Sequence, residues 1–361
     1  MASGTAGNWL FVDGEKSLYI NPAGLVSSDL TWEKASTFNI GLDFTMLNQR
    51  LDFSFDWYQR TTSDMLVKVE YPEVLGTTAP PANKAELRTR GWEVSVKWND
   101  RIGNDFSYDL GFILSDSQAE ITKYENLSGT LSDYYVGQKI GEIWGYETEG
   151  FYQSDTDVQN HADQSKLGAN WAPGDIMYKD LDGNKKINNG SNTLDDHGDL
   201  KVIGNTTPRY QYGITANMSY KNVYLNVFFQ GIGKRDFWPS SQPFWPVATQ
   251  YYNTQKWFVT DSWSEDNRDA YFARPIARET KNQQKQTKYL QDASYCRLKN
   301  LTVGYDFPKS WLSFLHVAKA GVYFSAENLF EFTNVKGAYD PEAAGKNGTW
   351  YIRSSVLIHS G

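Results

Sequence analysis

The sequence predicts an all-β fold, built from antiparallel hairpins in an up-and-down order. Three observations carry this prediction: apolar and polar side chains alternate along several segments, short polar turns join these segments in pairs, and long connections separate the pairs. Alternation with a period of two places successive side chains on opposite faces of a strand. We therefore expect a sheet with one apolar face and one polar face.

The first hairpin covers residues 37–46 and 51–57, with a short turn at residues 48–50. Its apolar face carries Phe38, Ile40, Leu42, Phe44 and Met46 in the first arm and Leu51, Phe53, Phe55 and Trp57 in the second. The residues between them are mostly small or acidic. A second hairpin with the same division of faces is predicted over residues 92–98 and 106–114.

The third hairpin, residues 207–233, is the clearest. Its first arm alternates Tyr210, Tyr212, Ile214, Ala216, Met218 and Tyr220 with polar or small residues. The arms fit the roughly 9–11 residues that a tilted strand needs to cross a bilayer. Tyrosines lie at both ends of the apolar row, where membrane barrels place their aromatic girdles. A half-buried hairpin in a soluble sheet is the alternative at this point.

Further strands are predicted over residues 295–307, 321–332 and 349–359, which gives about ten in all. Long polar insertions, residues 153–206 and 234–287, separate the hairpins. Structureless loops beyond about 12–15 residues are uncommon in compact soluble domains. Short turns on one side and long extracellular loops on the other are the rule in outer-membrane barrels. The sequence therefore favours a transmembrane β-barrel over a sandwich.

Composition narrows the functional class. The net charge is −8 over 361 residues, which argues against a nucleic-acid binder that depends on a basic surface. The single cysteine, Cys296, excludes an internal disulfide framework and a cysteine-rich zinc site. No HExxH pair, GxSxG elbow or phosphate-binding GxxxxGK[ST] motif is present, so no catalytic residues are predicted.

Several stretches resemble the SusC/RagA type of TonB-dependent outer-membrane transporter. The resemblance rests on residues 136–158 (VGQKIGEIWGYETEGFYQSDTDV), 173–188 (PGDIMYKDLDGNKKIN), 202–233 (VIGNTTPRYQYGITANMSYKNVYLNVFFQGIG), 289–308 (YLQDASYCRLKNLTVGYDFP) and 321–342 (GVYFSAENLFEFTNVKGAYDPE). It implies that residues 1–361 form the C-terminal part of a large receptor barrel, a partial wall with long extracellular loops. The plug domain that fills such barrels is not found in this chain.

The same resemblance implies a non-enzymatic function: TonB-dependent import of a nutrient, an oligosaccharide or glycan or else a peptide, across a bacterial outer membrane. The implied partners are a SusD-like lipoprotein, the TonB complex (through the missing N-terminal part), outer-membrane lipid and the imported ligand. No nucleic acid and no cofactor is required. The alternative is a soluble all-β carbohydrate-binding module or carbohydrate-active enzyme.

A calcium site is predicted in the long insertion that follows residue 153. The candidate ligands are Asp180, Asp182, Asn184, Lys186 through its carbonyl, and Asn188. This spacing resembles the start of an EF-hand-type loop, which places oxygen ligands at positions 1, 3, 5, 7 and 9. Ser191 stands where the loop needs a carboxylate, and Asp195, Asp196 or Asp199 could substitute. An Asp/Asn/Gly turn without metal is the alternative.

A substrate-binding platform is predicted in the segment FWPSSQPFWP, residues 237–246, from Trp238, Phe244 and Trp245. Flat aromatic faces can stack on sugar rings, and the prolines would hold them in place. The alternative is a loop packed against itself by these rings. On the strands, the polar residues Asn39, Asp43, Asp52, Asp56, Arg209 and Gln211 are predicted to face the plug or the water of the lumen.

Overall fold

We describe the fold from a computed structural model of the chain. It describes residues 30–68, 80–241, 244–247, 254–313, 316–337 and 339–344, together with the backbone of short strands within residues 3–20 and at residues 357–360. Among the described residues, no helix has the length and apolar character needed to cross a membrane.

The described chain is mostly strand. In chain order the strands are β1 (Ser3–Thr5), β2 (Phe11–Val12), β3 (Glu15–Lys16), β4 (Leu18–Ile20), β5 (Lys34–Met46), β6 (Leu51–Val67), β7 (Ala82–Ile102), β8 (Phe106–Lys123), β9 (Glu142–Tyr146), β10 (Thr148–Phe151), β11 (Ile176–Tyr178), β12 (Leu200–Asn205), β13 (Arg209–Tyr220), β14 (Val223–Lys234), β15 (Asp236–Phe237), β16 (Gln291–Asp292), β17 (Tyr295–Asp306), β18 (Gly321–Thr333) and β19 (Leu357–Ser360). The helices are α1 (Asp155–Asn160), α2 (Lys256–Thr260) and α3 (Lys309–Leu312), with 3₁₀ turns at Lys281–Gln283 and Pro341–Ala343.

Nine strands form one antiparallel sheet in the order β19-β18-β17-β14-β13-β8-β7-β6-β5. Strands that are neighbours in this sheet are also consecutive members of it along the chain, which is the up-and-down order that the sequence predicts. The predicted last strand is described only at Leu357–Ser360. Residues 349–356 lie outside the described part.

The connections alternate between the two ends of the strands, and the longest ones are all at the same end. At one end the connections join β5 to β6, β7 to β8, β13 to β14 and β17 to β18. At the other end they join β6 to β7, β8 to β13, β14 to β17 and β18 to β19. The two longest connections contain the small strand pairs β9–β12, β10–β11 and β15–β16. The prediction of short turns opposite long excursions is therefore confirmed.

One face of the sheet is apolar from strand to strand. Leu42 pairs with Phe55, Phe55 with Val94, and Val94 with Leu114. The next row crosses eight strands of this sheet, from β5 to β18, through the partners Phe44, Phe53, Val96, Phe112, Ile214, Phe229, Leu298 and Phe330. Since the register keeps apolar residues opposite one another, they form a continuous apolar band.

This band is exposed. On the inner strands, Phe112, Ile214 and Val303 are each about 40% exposed, whereas Leu298 in the same band is buried. The apolar rows are covered by no second sheet of the described chain, whose other sheets are two-stranded. Exposed contiguous apolar surface of this kind is foreign to a water-soluble monomer.

The opposite face is polar and bonded across strands. Thr45 donates to Asp52 at 2.7 Å, Lys97 pairs with Asp109 at 3.2 Å, and Asn217 donates to the same carboxylate at 3.3 Å. Arg209 departs from the predicted face. It forms a bidentate ion pair with Asp116, which shares the alternation of Phe112 and Leu114, next to a left-handed backbone at Tyr210 with φ of 54°.

Candidate functional site

The buried core of the protein lies in the long connections rather than in the sheet. The main cluster of buried apolar side chains consists of Tyr146, Phe151, Ile176, Tyr178, Ile187, Phe237, Phe244, Trp245, Phe258, Trp263, Ala270, Phe272, Ala273, Tyr289, Ala293, Val335, Tyr339 and Ala344. Almost all of these residues belong to residues 124–208 and 235–294. We call these two connections together the loop unit.

A buried ion network joins the two halves of the loop unit. Asp175 is fully buried and accepts from Arg274 at 2.8 and 2.9 Å and from Asn282 at 2.9 Å. Lys281, whose side chain is 1% exposed, lies 2.9 Å from the same carboxylate and also donates to the carbonyls of Ala169 and Asn170. Every donor of this buried ammonium is thus used, as a buried charge requires.

The pKa of Asp175 depends on two opposing effects, burial of the carboxylate and the hydrogen bonds that it accepts. Burial alone would raise it, but the hydrogen bonds from Arg274, Asn282 and Lys281 outweigh burial and lower the pKa below its usual value. The sequence offered no sign of this network. Asp175 and Arg274 are separated by 99 residues, and neither belongs to a motif.

The predicted aromatic platform lies within the core of the loop unit. Phe244 is fully buried and Trp245 is 8% exposed, while Trp238 is only partly buried. The ring of Phe244 makes edge contacts with Trp245 at 4.8 Å and with Phe272 at 5.5 Å. The indole N–H of Trp245 donates to the Pro239 carbonyl at 2.6 Å. This packing is what the self-packed alternative describes, and Trp238 alone keeps part of its surface free.

The predicted calcium loop folds into a series of tight side-chain-to-backbone turns. Asp180 accepts from the N–H groups of Gly183 and Lys185, both at 2.8 Å. Asp182 accepts from the N–H of Asn184 at 2.9 Å, and Asn184 accepts from the N–H of Lys186 at 2.7 Å. Burial opposes the ionised form of Asp180, but the N–H groups of Lys185 and Gly183 outweigh it and lower its pKa.

Asp199 completes the oxygen cluster. Ligand atoms of Asp180, Asp182 and Asp199 all lie within 4.8 Å of one another. Asp199 is fully buried and accepts from the N–H groups of Leu181 and Asn188 at 2.8 and 2.9 Å. Of the three aspartates that could supply the missing carboxylate, only Asp199 is in this cluster.

The donor set of the loop fits calcium in kind. Three carboxylates, the side-chain oxygen of Asn184 and the carbonyl of Lys186 are all hard oxygen ligands, which Ca²⁺ prefers. Lys185 stands where such loops require glycine, and it adopts the left-handed backbone with φ of 60° that this position demands. Asn188, the fifth predicted ligand, instead accepts from the N–H of Gly190 at 2.7 Å. Calcium binding itself stays a prediction.

Comparison with known proteins identifies relatives for nearly the whole chain. Residues 4–329 match the family model described as "TonB dependent receptor-like, beta-barrel". A TonB-dependent receptor of Formosa agariphila is 30% identical over 335 residues, which cover 89% of this chain and 32% of that protein. The TonB-dependent receptor SusC of Bacteroides thetaiotaomicron is 27% identical over 348 residues, 92% of this chain and 32% of that protein. The chain spans about a third of the length of these relatives.

Solved structures share the fold. The structure titled "RagAB peptide transporter" superposes with a TM-score of 0.69 at 24% identity, covering 95% of this chain and 36% of that one. The RagAB peptide importer in its "closed-closed" state gives a TM-score of 0.71 at 24% identity, with 99% and 38% covered. These relatives are named as receptors and transporters, not as enzymes, in agreement with the sequence, which contains none of the catalytic motifs considered above.

Proposed function

Since the chain belongs to the TonB dependent receptor-like β-barrel family, we propose that it forms part of the wall of a nutrient importer in a bacterial outer membrane. The nine-stranded sheet is the wall, and the loop unit lies on the extracellular side. The observation that carries the proposal is the exposed apolar band, which is continuous in register from β5 to β18.

The length of the band agrees with a bilayer. On β13 the apolar row runs from Tyr212 to Tyr220, eight residue steps of about 3.3 Å, or roughly 26 Å along the strand, which a barrel tilt of about 40° converts to a height of roughly 20 Å. A band about 25 Å tall, edged by aromatic residues, is what membrane barrels present to lipid. The polar face, with its ion pairs and hydrogen bonds, then lines a water-filled or protein-filled interior.

Further strands complete the barrel. In the described chain the sheet is open, with β5 at one edge, and an unpaired strand edge in lipid leaves backbone groups unsatisfied at several kcal/mol each. Family transporters of the largest kind use about 22 strands around a plugged lumen. The relatives are about three times as long as this chain, which supports a longer protein that supplies the missing wall and the plug.

The imported ligand is an oligosaccharide or a peptide. Likeness to SusC supports the glycan, and likeness to the RagAB peptide transporter supports the peptide. Import would draw energy from the TonB complex through the rest of the protein. A SusD-like lipoprotein would cover the loop unit, whose rigid core makes it a stable docking platform. Calcium, if bound at Asp180, Asp182 and Asp199, would stiffen one loop of this platform.

Spin labels placed on adjacent residues test the placement in lipid. In the complete receptor carrying Cys296→Ser, Phe44→Cys and Asp43→Cys put a nitroxide on the apolar and the polar face of β5. We expect the label at position 44 to be accessible to oxygen and shielded from a water-soluble nickel chelate, with the reverse at position 43. Equal nickel accessibility at both positions, in protein that stays in the aqueous fraction without detergent, would support a soluble module instead.

Uptake separates the two ligand classes. Cells that express the complete receptor should accumulate labelled oligosaccharide or labelled peptide only when TonB is functional. Accumulation that is independent of TonB would contradict the transport proposal.

A further inference from the structure

On the lipid-facing side of the sheet, a row of aromatic residues is followed directly by a row that contains a basic residue. Trp57 and Trp92 are paired at the end of the apolar band. The next row toward the long connections is Gln59, Arg90 and Gln118. Tryptophan marks the boundary between hydrocarbon and headgroups in membrane proteins, so this row lies at headgroup height.

Two arginines here have donors to spare. Arg90 donates its Nε to Gln59 at 2.9 Å, and no carboxylate of the described chain lies within ion-pairing distance of it. In the next row Arg88 pairs with Glu120 at 3.3 Å, yet its Nε is buried without a hydrogen-bond partner. A buried donor without an acceptor is uncommon in native structures.

A cleft continues this row where the sheet meets the loop unit. It has a volume of about 450 Å³, and its lining includes Gln118, Lys139, Tyr210 and Lys234. Lys139 and Lys234 are exposed and have no carboxylate of the described chain within 4 Å. The cleft is therefore contiguous with Arg90 through Gln118, its register partner.

Two carboxylates, Glu142 and Asp236, also line the cleft, and hydrogen bonds within the protein use part of their acceptor capacity. Glu142 accepts from the Tyr135 hydroxyl at 2.6 Å and from the backbone N–H of Lys139 at 3.1 Å. Asp236 accepts from the N–H of Asn205 at 2.8 Å. The cations are thus left with more free donors than the anions have free acceptors, although the chain as a whole is acidic.

We propose that this cleft and the adjacent Arg90 bind the phosphate-bearing headgroup of an anionic lipid in the outer leaflet. The inference rests on the proposed placement of the sheet in a membrane. Phosphate accepts several charge-assisted hydrogen bonds at once. Lys139 and Lys234, which line the cleft, and Arg90, which lies beside it, can supply them. The apolar band directly below accommodates the acyl chains. The headgroup of the lipid thus contacts the basic cleft, and its acyl chains contact the apolar band.

The test uses the complete receptor in nanodiscs of phosphatidylcholine with a minority of phosphatidylglycerol. Native mass spectrometry counts the phosphatidylglycerol molecules retained after release from the disc. We expect Arg90→Gln, Lys139→Gln and Lys234→Gln each to weaken retention about fivefold, the scale known for one cation at an anionic membrane surface. Retention by the unaltered receptor should also fall as salt is raised. Lys166→Gln is the matched control, because Lys166 is an exposed loop-unit lysine without an ion pair among the described residues.

Each outcome decides the proposal. Every variant must first show the heat-dependent gel shift of a folded barrel. Equal retention in all four variants would overturn the headgroup site. Binding of inorganic phosphate from solution, without retention of phosphatidylglycerol, would make the cleft a soluble-phosphate site. The lipid inference would then be wrong. A receptor that stays in water without detergent would instead refute the proposed function, before any lipid is counted.

Discussion

The lipid-facing band makes one prediction that separates a membrane wall from a soluble sheet. Val227 lies midway along the hairpin formed by β13 and β14, between Ala216 and Leu301 on the neighbouring strands. Asn226 is its chain neighbour on the opposite, polar face. We therefore compare Val227→Arg with Asn226→Arg, which place the same charge one residue apart on the two faces.

The expected costs follow from depth in the bilayer. Arginine on the lipid face at the midplane destabilises a barrel by about 2–4 kcal/mol, which lowers the folding equilibrium constant by roughly 30-fold to 900-fold. Asn226→Arg meets water or a wet protein surface, so a change within about 0.5 kcal/mol is expected. Tyr220→Arg, at the rim of the band, should cost about 0–1 kcal/mol, since the penalty falls toward the interface.

Urea titration of the complete receptor in liposomes, followed by the heat-dependent gel shift, measures these free energies of unfolding. A cost for Val227→Arg that clearly exceeds the costs of both Tyr220→Arg and Asn226→Arg is the signature of a face in lipid. Similar small effects at positions 226 and 227 would refute the reasoning, because they would mean that both faces meet water.

Three further predictions concern the loop unit. Asp175→Asn should lower the free energy of unfolding of the loop unit by about 3–5 kcal/mol, because buried cations lose their partner. Since the pKa of Asp175 is depressed from 3.8, the stability that its carboxylate contributes is complete above pH 3.8 and is lost as pH falls through the native pKa. Protease resistance of the two connections, measured against pH, would show this loss. Terbium luminescence should saturate in the unaltered receptor. Asp182→Asn should weaken the affinity for terbium roughly tenfold, since affinity follows the number of charged ligands, while the exposed control Asp195→Asn leaves the affinity unchanged. No saturable signal in the unaltered receptor would end the calcium prediction. Phe244→Ala should cost about 3–5 kcal/mol in thermal unfolding, whereas Trp238→Ala should cost less, and loss of sugar binding in the latter alone would favour the platform.

Sequence reasoning found the strands for a simple physical reason. A wall between an apolar and an aqueous surrounding forces a period of two on its side chains, so the two arms and the apolar face of the first hairpin could be read from residues 37–57 alone. The same reasoning underestimated the lengths of the strands. Strand β7 runs from Ala82 to Ile102, far beyond the predicted residues 92–98, because its upper part leaves the apolar band and its alternation fades into polar residues.

The site was predicted less completely, because its geometry depends on contacts between distant segments. The turns from Asp180 to Lys186 are local, and their spacing is visible in the sequence. The choice of Asp199 over Asp195 and Asp196 is set by how residues 188–199 fold back, with Asp196 accepting instead from the N–H of Ser191. The core of the loop unit brings two connections into contact, and no periodicity in the sequence predicts a contact between such distant segments.

The aromatic content of the chain, 15%, was ambiguous in the sequence because girdles and ring platforms both use it. The structure divides it between two surroundings. Rings on the strands edge the exposed apolar band, whereas Phe244, Phe272 and Tyr289 pack in the buried core of the loop unit. A loop unit with its own core and a buried ion network resists local bending, since packed interiors deform little. We therefore expect the unit to move as one body rather than by flexing of its separate loops.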